Sequence, residues 1–300
     1  MSFNGREFDM KQKLSFIEYM QALEFPAGAV EDLAALKMRL SSKTDLYSLM
    51  EEAQKNFLNS GEGDFQAPLA QIAELSGERR ESVDLVMLVD CLHVMRQRYA
   101  ARGLPEEIFW DTAKDLTYKM IECHQNRGVW GTFVTFWFPE FFRLERFALG
   151  RLQFEHRAFP YEGVKGIEKG QTVYNCHIPS SGSLPPESVE ESFRRAKAFY
   201  AHELNGKPMP IYCSSWMLYP PHVKLFPDGS NLRRFAERFT LVDAVEDTTN
   251  HDFWRIFNRP WDPSLTLEEL PEDTALRRAF KAFLMEGNAM GSGKCLLWFD

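Results

Sequence analysis

The fold of this chain is decided by the segments GRLQFEHRAF (150–159), TVYNCHIP (172–179), SSGSL (180–184), PPESVEESFRRAKAFYAHEL (185–204) and PMPIYCSSWMLYP (208–220). Apolar residues alternate with polar ones in the first segment, with Leu152, Phe154 and His156 on one face, which predicts a strand. The second segment ends its strand at Pro179. In the long fourth segment an apolar stripe at intervals of three and four residues predicts a helix, and it consists of Val189, Phe193, Ala196, Tyr200 and Leu204. The last segment predicts a strand that runs to Tyr219.

A strand, a helix and a second strand in this order form a βαβ crossover with parallel strands. The carboxyl ends of the two strands, at 177–182 and 213–219, are therefore expected to lie close together. Open α/β sheets usually bind their ligands at this edge. The sequence thus predicts a binding or catalytic site there.

The rest of the chain divides into two halves of different character. Residues 11–150 show helical spacing only, whereas the C-terminal half alternates strands and helices, with a strand near 239–245 and a last strand at CLLWF (295–299). Gly291-Ser292-Gly293 predicts a flexible turn before that last strand. We therefore expect an α+β protein with a helical N-terminal domain, 1–148, and a mixed-sheet domain flanked by helices, 149–300.

Composition excludes several classes of function. A formal net charge of −8 argues against nucleic acid as the main partner, since phosphate binding needs clustered Lys and Arg. The five cysteines form no C-x-x-C pair, which predicts buried free thiols and no metal site. The N-terminus has no apolar signal region, and the longest apolar run, 129–142, is too short for a bilayer, so we expect a cytoplasmic protein without membrane contact.

Two features of the N-terminal half could be functional, but a structural role is the more common one for each. Asp90 interrupts the apolar stripe of a long predicted helix, where a polar residue more often snorkels or caps than acts as a buried functional carboxylate. The aromatic cluster in 130–142 more often packs helices together, although it could line an acyl-binding cavity.

Four stretches resemble a bacterial family of acyltransferase-domain proteins, whose C-terminal half is similar to the GNAT fold of N-acyltransferases. They are LGRLQFE (149–155), HIPSSGSL (177–184), CSSWML (213–218) and SNLRRFAERF (230–239). The resemblance covers nearly the whole chain. It implies an enzyme that transfers an acyl group from acyl-CoA or acetyl-CoA, as co-substrate and without a metal, to a small-molecule amine.

The resemblance also implies where CoA binds. In the GNAT family a splayed strand pairs with the pantetheine arm, and a loop of pattern R/Q-x-x-G-x-G/A cradles the pyrophosphate. Gly182 matches the first glycine, but Pro179 and Leu184 replace two other positions. By this correspondence the CoA-binding residues are Ile178, Ser180, Ser181, Gly182, Ser183 and Asn231.

The catalytic residues follow less directly. Asn231 begins the family's second signature, N-x-x-A-x-x-x-Y, but Arg238 stands where that signature has a tyrosine acid, and a guanidinium does not give up its proton at neutral pH. Tyr219, Cys213 or Ser215 could supply the acid instead. His177, whose intrinsic pKa is near neutrality, and Glu155 are the candidate bases. Ser215 and Trp216 are expected to contact substrate.

Two other functions stay open at the level of sequence. Cys213 could act as a nucleophile with His177 or His156, although no motif around it supports this. Alternatively, the C-terminal half could be a non-catalytic module that binds a small molecule or a protein, since the pyrophosphate loop matches only in part. The sequence does not define acyl length, acceptor or oligomeric state.

Overall fold

A computed structural model describes residues 14–59, 63–164 and 166–300, and the expected helical start at residues 11–13 lies outside them. The chain divides into two compact units, the first ending at Phe147 and the second beginning at Ala148.

The described part of the first unit is helical, as expected, apart from Arg146 and Phe147, which begin the first strand of the sheet. Its helices are α1 (Phe16–Ala22), α2 (Ala27–Ser41), α3 (Thr44–Leu58), α4 (Gln66–Ser76), α5 (Arg80–Ala101), α6 (Glu106–Ala113), α7 (Asp115–Arg127) and α8 (Pro139–Phe142). The spacing of Ile108, Ala113, Leu116, Met120 and His124 predicts one helix across α6 and α7. The structure divides them at Lys114 through a tight turn in which the N–H of Thr117 bonds to the Lys114 carbonyl. Helix α5 is the centre of the unit, since it is buried along most of its length.

Asp90 of α5 has a structural role, although it lies inside the helix and pairs with a neighbouring helix instead of snorkelling or capping. Its carboxylate forms an ion pair with Lys37 of α2 and lies 3.5 Å from the Gln54 amide of α3. Burial raises the pKa of Asp90, and Lys37 opposes that shift. The polar residue on the apolar stripe thus links three helices.

The second unit is built on a six-stranded mixed sheet, which confirms the predicted fold class. The strands are β1 (Arg146–Leu149), β2 (Leu152–Ala158), β3 (Thr172–His177), β4 (Met209–Ser215), β5 (Thr240–Asp247) and β6 (Met290–Phe299), in the spatial order β1-β2-β3-β4-β6-β5. Strands β3 and β4 are parallel and are joined by the predicted crossover helix α9 (Pro186–Phe199). The remaining helices are α10 (Ala201–Leu204), α11 (Pro220–Val223), α12 (Asn231–Ala236), α13 (Trp254–Phe257) and α14 (Ala275–Met285).

Side-chain alternation gives the sheet two different faces. Helix α9 covers one face, where the rings of Phe154 and Phe193 lie 6.2 Å apart. A small hydrophobic cluster covers part of the other face, where Phe159 and Ile167 pack against Val173 and Tyr212. Gln153 and Glu155 of β2 and Asn175 and His177 of β3 lie on this second face.

The structure differs from the sequence expectation at the end of β4 and in β6. Strand β4 ends at Ser215, and Trp216–Leu218 forms a 3-10 turn instead of continuing the strand to Tyr219. Gly291 and Gly293 lie inside β6, where the sequence predicted a flexible turn. Both corrections have one cause: a Cβ on Gly293 would collide with the Leu218 carbonyl, and one on Gly291 would lie 2.6 Å from the Tyr219 ring. The glycines are present because the turn packs directly onto the strand.

Candidate active site

The two parallel strands separate toward their carboxyl ends. Strand β3 pairs with β4 only at Tyr174 with Ile211 and at Asn175 with Tyr212. Strand β4 nevertheless stays paired with β6 as far as Ser215. Over the described residues, backbone groups of 213–215 that face β3 therefore have no partner strand. The opening between the strand ends can accept an extended ligand by backbone hydrogen bonding.

Glu155, Asn175 and His177 form a hydrogen-bonded cluster beside this opening. The register of β2 and β3 sets Glu155 opposite Asn175, and His177 lies two residues further along the same face. The Glu155 Oε1 accepts from Asn175 Nδ2 at 2.8 Å and lies 2.8 Å from His177 Nε2. The side chains of Glu155 and His177 are 15% and 20% exposed, so both are shielded but accessible. The two residues that the sequence offers as alternative bases are thus in direct contact.

The tautomer of His177 follows from the state of Glu155. When that carboxyl is ionised it only accepts hydrogen bonds, so His177 Nε2 then carries the proton that it donates to Glu155. The lone pair of neutral His177 is then on Nδ1. The contact of 3.0 Å between Asn175 Nδ2 and His177 Nε2 follows from both donors converging on Glu155. A carboxylate that holds an imidazole in one tautomer and stabilises its cation is a common arrangement for a general base.

Cys213 is far less suited to catalysis. Because Tyr212 lies on the face of Asn175, Cys213 points to the α9 side of the sheet, where it is fully buried. A hydrogen bond with Cys176, together with burial, raises the pKa of the Cys213 thiol well above its usual value. The thiol is therefore protonated at neutral pH, and it lies on the face opposite Glu155 and His177. Its burial and its position on the opposite face thus give no support to Cys213 as acid or nucleophile.

Ser215 and Trp216 have clear structural roles in the turn that follows β4. The Ser215 hydroxyl accepts from the Met217 N–H at 3.2 Å, which caps the 3-10 turn. Trp216 is buried against Phe226 and Phe280. These contacts fix the geometry of the strand end.

Tyr219 remains a candidate acid. Its ring packs edge-on against buried His222, which bonds through Nδ1 to the Trp216 carbonyl at 2.8 Å. Burial first, and then the charge of Glu246, raise the pKa of Tyr219. The phenol is therefore protonated at neutral pH. Burial lowers the pKa of His222 to about 4, which keeps this imidazole neutral.

The predicted CoA-binding residues Ile178, Ser180, Ser181, Gly182 and Ser183 form the loop between β3 and α9. Gly182 has φ 94° and is exposed, with open space where a Cβ would be. Among the described residues, none accepts a hydrogen bond from the N–H groups of 180–184. Five consecutive free amides ahead of a helix form a suitable surface for an anion.

Acidic residues in the first turns of α9 are partly neutralised. Glu190 forms an ion pair of 2.6 Å with Arg238, which follows α12, and Glu191 pairs with Arg194. Arg238 also lies over the Phe193 ring. It therefore links helices and takes no part in proton transfer. Asn231, at the start of α12, is half-buried.

Sequence reasoning missed two residues of this region, Asn175 and Arg151. Side-chain alternation along β3 places Asn175 on the same face as His177, and this pattern could have identified Asn175 from the sequence. The Arg151 side chain crosses to the loop before α9 and donates to the carbonyls of Gly182 and Ser183. No sequence pattern links positions thirty residues apart in this way.

Within the described residues, no cluster of His, Cys, Asp and Glu could hold a metal ion. A search of those residues also finds no helix long and apolar enough to span a membrane.

Comparison with known proteins identifies the family of this chain. The family described as the GNAT-like C-terminal domain matches residues 146–297, and the family described as the N-acyltransferase N-terminal domain matches residues 15–144. The chain belongs to this two-domain N-acyltransferase family. A search among curated proteins finds no match.

Several solved structures share the fold across both units. One is an acyltransferase in complex with decanoyl-CoA and teicoplanin, with 22% identity and a TM-score of 0.73. A mutant acyltransferase in complex with octanoyl-CoA has 21% identity and a TM-score of 0.75, and an acyltransferase in complex with CoA and 10C-teicoplanin has 21% and 0.74. Each alignment covers 94% of this chain and 87% of the other.

Proposed function

We propose that this protein is an acyl-CoA-dependent N-acyltransferase, which transfers the acyl group of a CoA thioester to an amine. Family membership supports the reaction class. The observation that carries the proposal is the Glu155 and His177 pair beside the opening between β3 and β4. A base next to unpaired strand backbone is what an enzyme needs to activate an amine beside an extended thioester.

The thioester would occupy the opening between the strands. The pantetheine arm would pair with free backbone of β4, and the pyrophosphate would meet the free amides of 180–184. The structural neighbours were determined with CoA, octanoyl-CoA or decanoyl-CoA, and two of them with a teicoplanin. We therefore propose medium-chain acyl-CoA as the first donors to test, and an amine as acceptor.

The reaction would proceed by direct attack. His177 Nδ1 removes a proton from the acceptor amine as its nitrogen bonds to the thioester carbonyl carbon, and Glu155 stabilises the resulting imidazolium. A backbone N–H of 213–215 holds the oxyanion. The carbon–sulfur bond then breaks, and the Tyr219 hydroxyl gives its proton to the CoA thiolate. Solvent carries the proton from the His177 imidazolium to the Tyr219 phenolate, which restores both residues. The products are an amide and free CoA.

A bacterial cytoplasm is part of this proposal. The five cysteines are free and buried, which fits a reducing compartment. Acyl-CoA donors are also intracellular metabolites. The acceptor would then be a small amine available in the same compartment.

Calorimetric titration of the full chain with octanoyl-CoA, decanoyl-CoA and free CoA tests ligand binding, and mass spectrometry with a panel of amines tests turnover. We expect saturable binding, and at about one hundred times the dissociation constant a gain of ~2.7 kcal/mol in the free energy of unfolding. Amide product should appear together with free thiol. Binding without turnover of any amine would favour the non-catalytic module, and absence of both would contradict the proposal.

Gly182→Asp and Gly182→Asn provide a matched pair for the same titration. Both substitutions impose the same strain at positive φ, but only Asp brings a negative charge toward the pyrophosphate. Like charges near a protein surface repel by ~4 kcal/mol at about 4 Å, and ~1.4 kcal/mol already changes affinity tenfold. We expect Gly182→Asp to bind CoA at least about tenfold more weakly than Gly182→Asn. Equal affinities would place the pyrophosphate elsewhere.

A further inference from the structure

Arg151 is fixed to the α9 region at both its backbone and its side chain. Its backbone N–H donates to the Ser192 hydroxyl of α9 at 2.6 Å, and the following N–H, of Leu152, donates to the same oxygen at 3.2 Å. Ser192 is fully buried. The turn between β1 and β2 is thus attached to the body of the crossover helix, and the Arg151 side chain starts from a rigid base.

From that base the guanidinium reaches the loop before α9. Arg151 Nη2 donates to the Gly182 carbonyl at 2.7 Å, and Nε donates to the Ser183 carbonyl at 2.9 Å. Two neighbouring donors of one planar group hold two consecutive carbonyls, which restricts the orientation of both peptide planes.

The direction of those carbonyls decides the direction of the amides. In a trans peptide, the C=O of one residue and the N–H of the next point to opposite sides. Because the carbonyls of Gly182 and Ser183 point toward Arg151, the N–H groups of Ser183 and Leu184 point away from it. Among the described residues these amides have no acceptor.

The positive charge of Arg151 favours anion binding by the loop, as the orientation of the amides does. The loop from Ile178 to Pro185 contains no basic residue, and Glu187 lies in the first turn of α9. A carboxylate at that position weakens the attraction of a helix N-terminus for an anion. The Arg151 guanidinium is a cation in contact with the loop and offsets this effect.

We propose that Arg151 is a positioning residue for the pyrophosphate of CoA, because it holds the Gly182 and Ser183 carbonyls so that the following amides face the ligand. This inference rests on the proposed function. Arg151 lies outside the loop, but it orients the loop backbone and supplies a positive charge that the loop itself lacks.

Steady-state kinetics with two donors test it: octanoyl-CoA, and octanoyl-pantetheine, which lacks the pyrophosphate and nucleotide. For Arg151→Gln we expect KM for octanoyl-CoA to rise about tenfold, the effect of losing a charge-assisted hydrogen bond, while kcat at saturation and KM for octanoyl-pantetheine stay near wild type. Arg151→Lys keeps the charge but cannot hold two carbonyls at once, so its KM for octanoyl-CoA should be intermediate.

Arg194→Gln is the matched control, since it removes a positive charge from α9 that pairs with Glu191 and has no bond to the loop. Its KM for octanoyl-CoA should not change. Melting temperatures without ligand check that each variant folds. Equal changes of KM for both donors, or no change, in a folded Arg151→Gln would overturn the positioning role alone. A wild-type chain that neither binds nor uses octanoyl-CoA would overturn the proposed function and this inference together.

Discussion

At the scale of single residues, the sequence names Glu155 and His177 but does not reveal that they are partners. Each is a plausible base by intrinsic chemistry. Their contact depends on the register of β2 against β3, which places Gln153 opposite His177 and Glu155 opposite Asn175. Register is a tertiary property, set by the packing of both faces of the sheet. The pairing therefore required the structure.

Burial argues against a catalytic role for Cys213. The sequence left that role open because it does not define on which face of the sheet the Cys213 side chain lies. Cys213→Ala removes a protonated thiol on the α9 side of the sheet. We expect the free energy of unfolding to fall by about 1 kcal/mol, as for a small cavity, and kcat to stay near wild type. Denaturation curves and turnover with octanoyl-CoA measure the two quantities.

Cys176→Ala is the control for Cys213→Ala, because Cys176 is buried on the same face and bonds to Cys213. The two variants should behave alike. If Cys213→Ala folds but loses turnover while Cys176→Ala retains it, the Cys213 thiol takes part in catalysis.

At the scale of elements, the order of strands and helices could be predicted from periodicity, but the end of β4 could not. The residues Trp216 to Tyr219 are apolar and aromatic and therefore match a strand pattern. The structure turns them instead and packs them onto β6. Gly291 and Gly293 match a turn signal by composition, but the structure places them in a strand. Glycine occupies these positions because no larger residue fits under the turn. In both cases a tertiary contact outweighs local propensity.

Gly293→Ala tests this contact between elements. A Cβ at Gly293 would collide with the Leu218 carbonyl, so either the turn or β6 must move. We expect a loss of about 2 kcal/mol or more in the free energy of unfolding, as for overpacking, measured from the urea midpoint at constant slope. Ser292→Ala in the same strand adds no atoms and should cost little. Equal midpoints for the two variants would show that the turn does not constrain β6.

At the scale of the whole molecule, the change from helical to mixed pattern predicts two halves of different fold class. The structure has a helical unit ending at Phe147 and a mixed-sheet unit beginning at Ala148, and the two family matches cover these parts in turn. The resemblance in four short stretches therefore extends to a family covering most of the chain. The identity of donor and acceptor depends on cavity shape, which short motifs do not encode.

The central claim is that the pair on the polar face of the sheet is the base of an acyl transfer reaction. The chain offers an internal control, since His156 of β2 also pairs with a glutamate, Glu203, at 2.7 Å, but on the α9 side of the sheet. The most direct measurement is therefore kcat for transfer from octanoyl-CoA to an amine by wild type, His177→Gln and His156→Gln.

We expect His177→Gln to lower kcat by ~10²–10⁴, the usual contribution of a general base, and to flatten the dependence of kcat on pH. His156→Gln should retain nearly all activity. A His177→Gln protein that is folded, binds octanoyl-CoA and turns over as fast as His156→Gln would contradict the account.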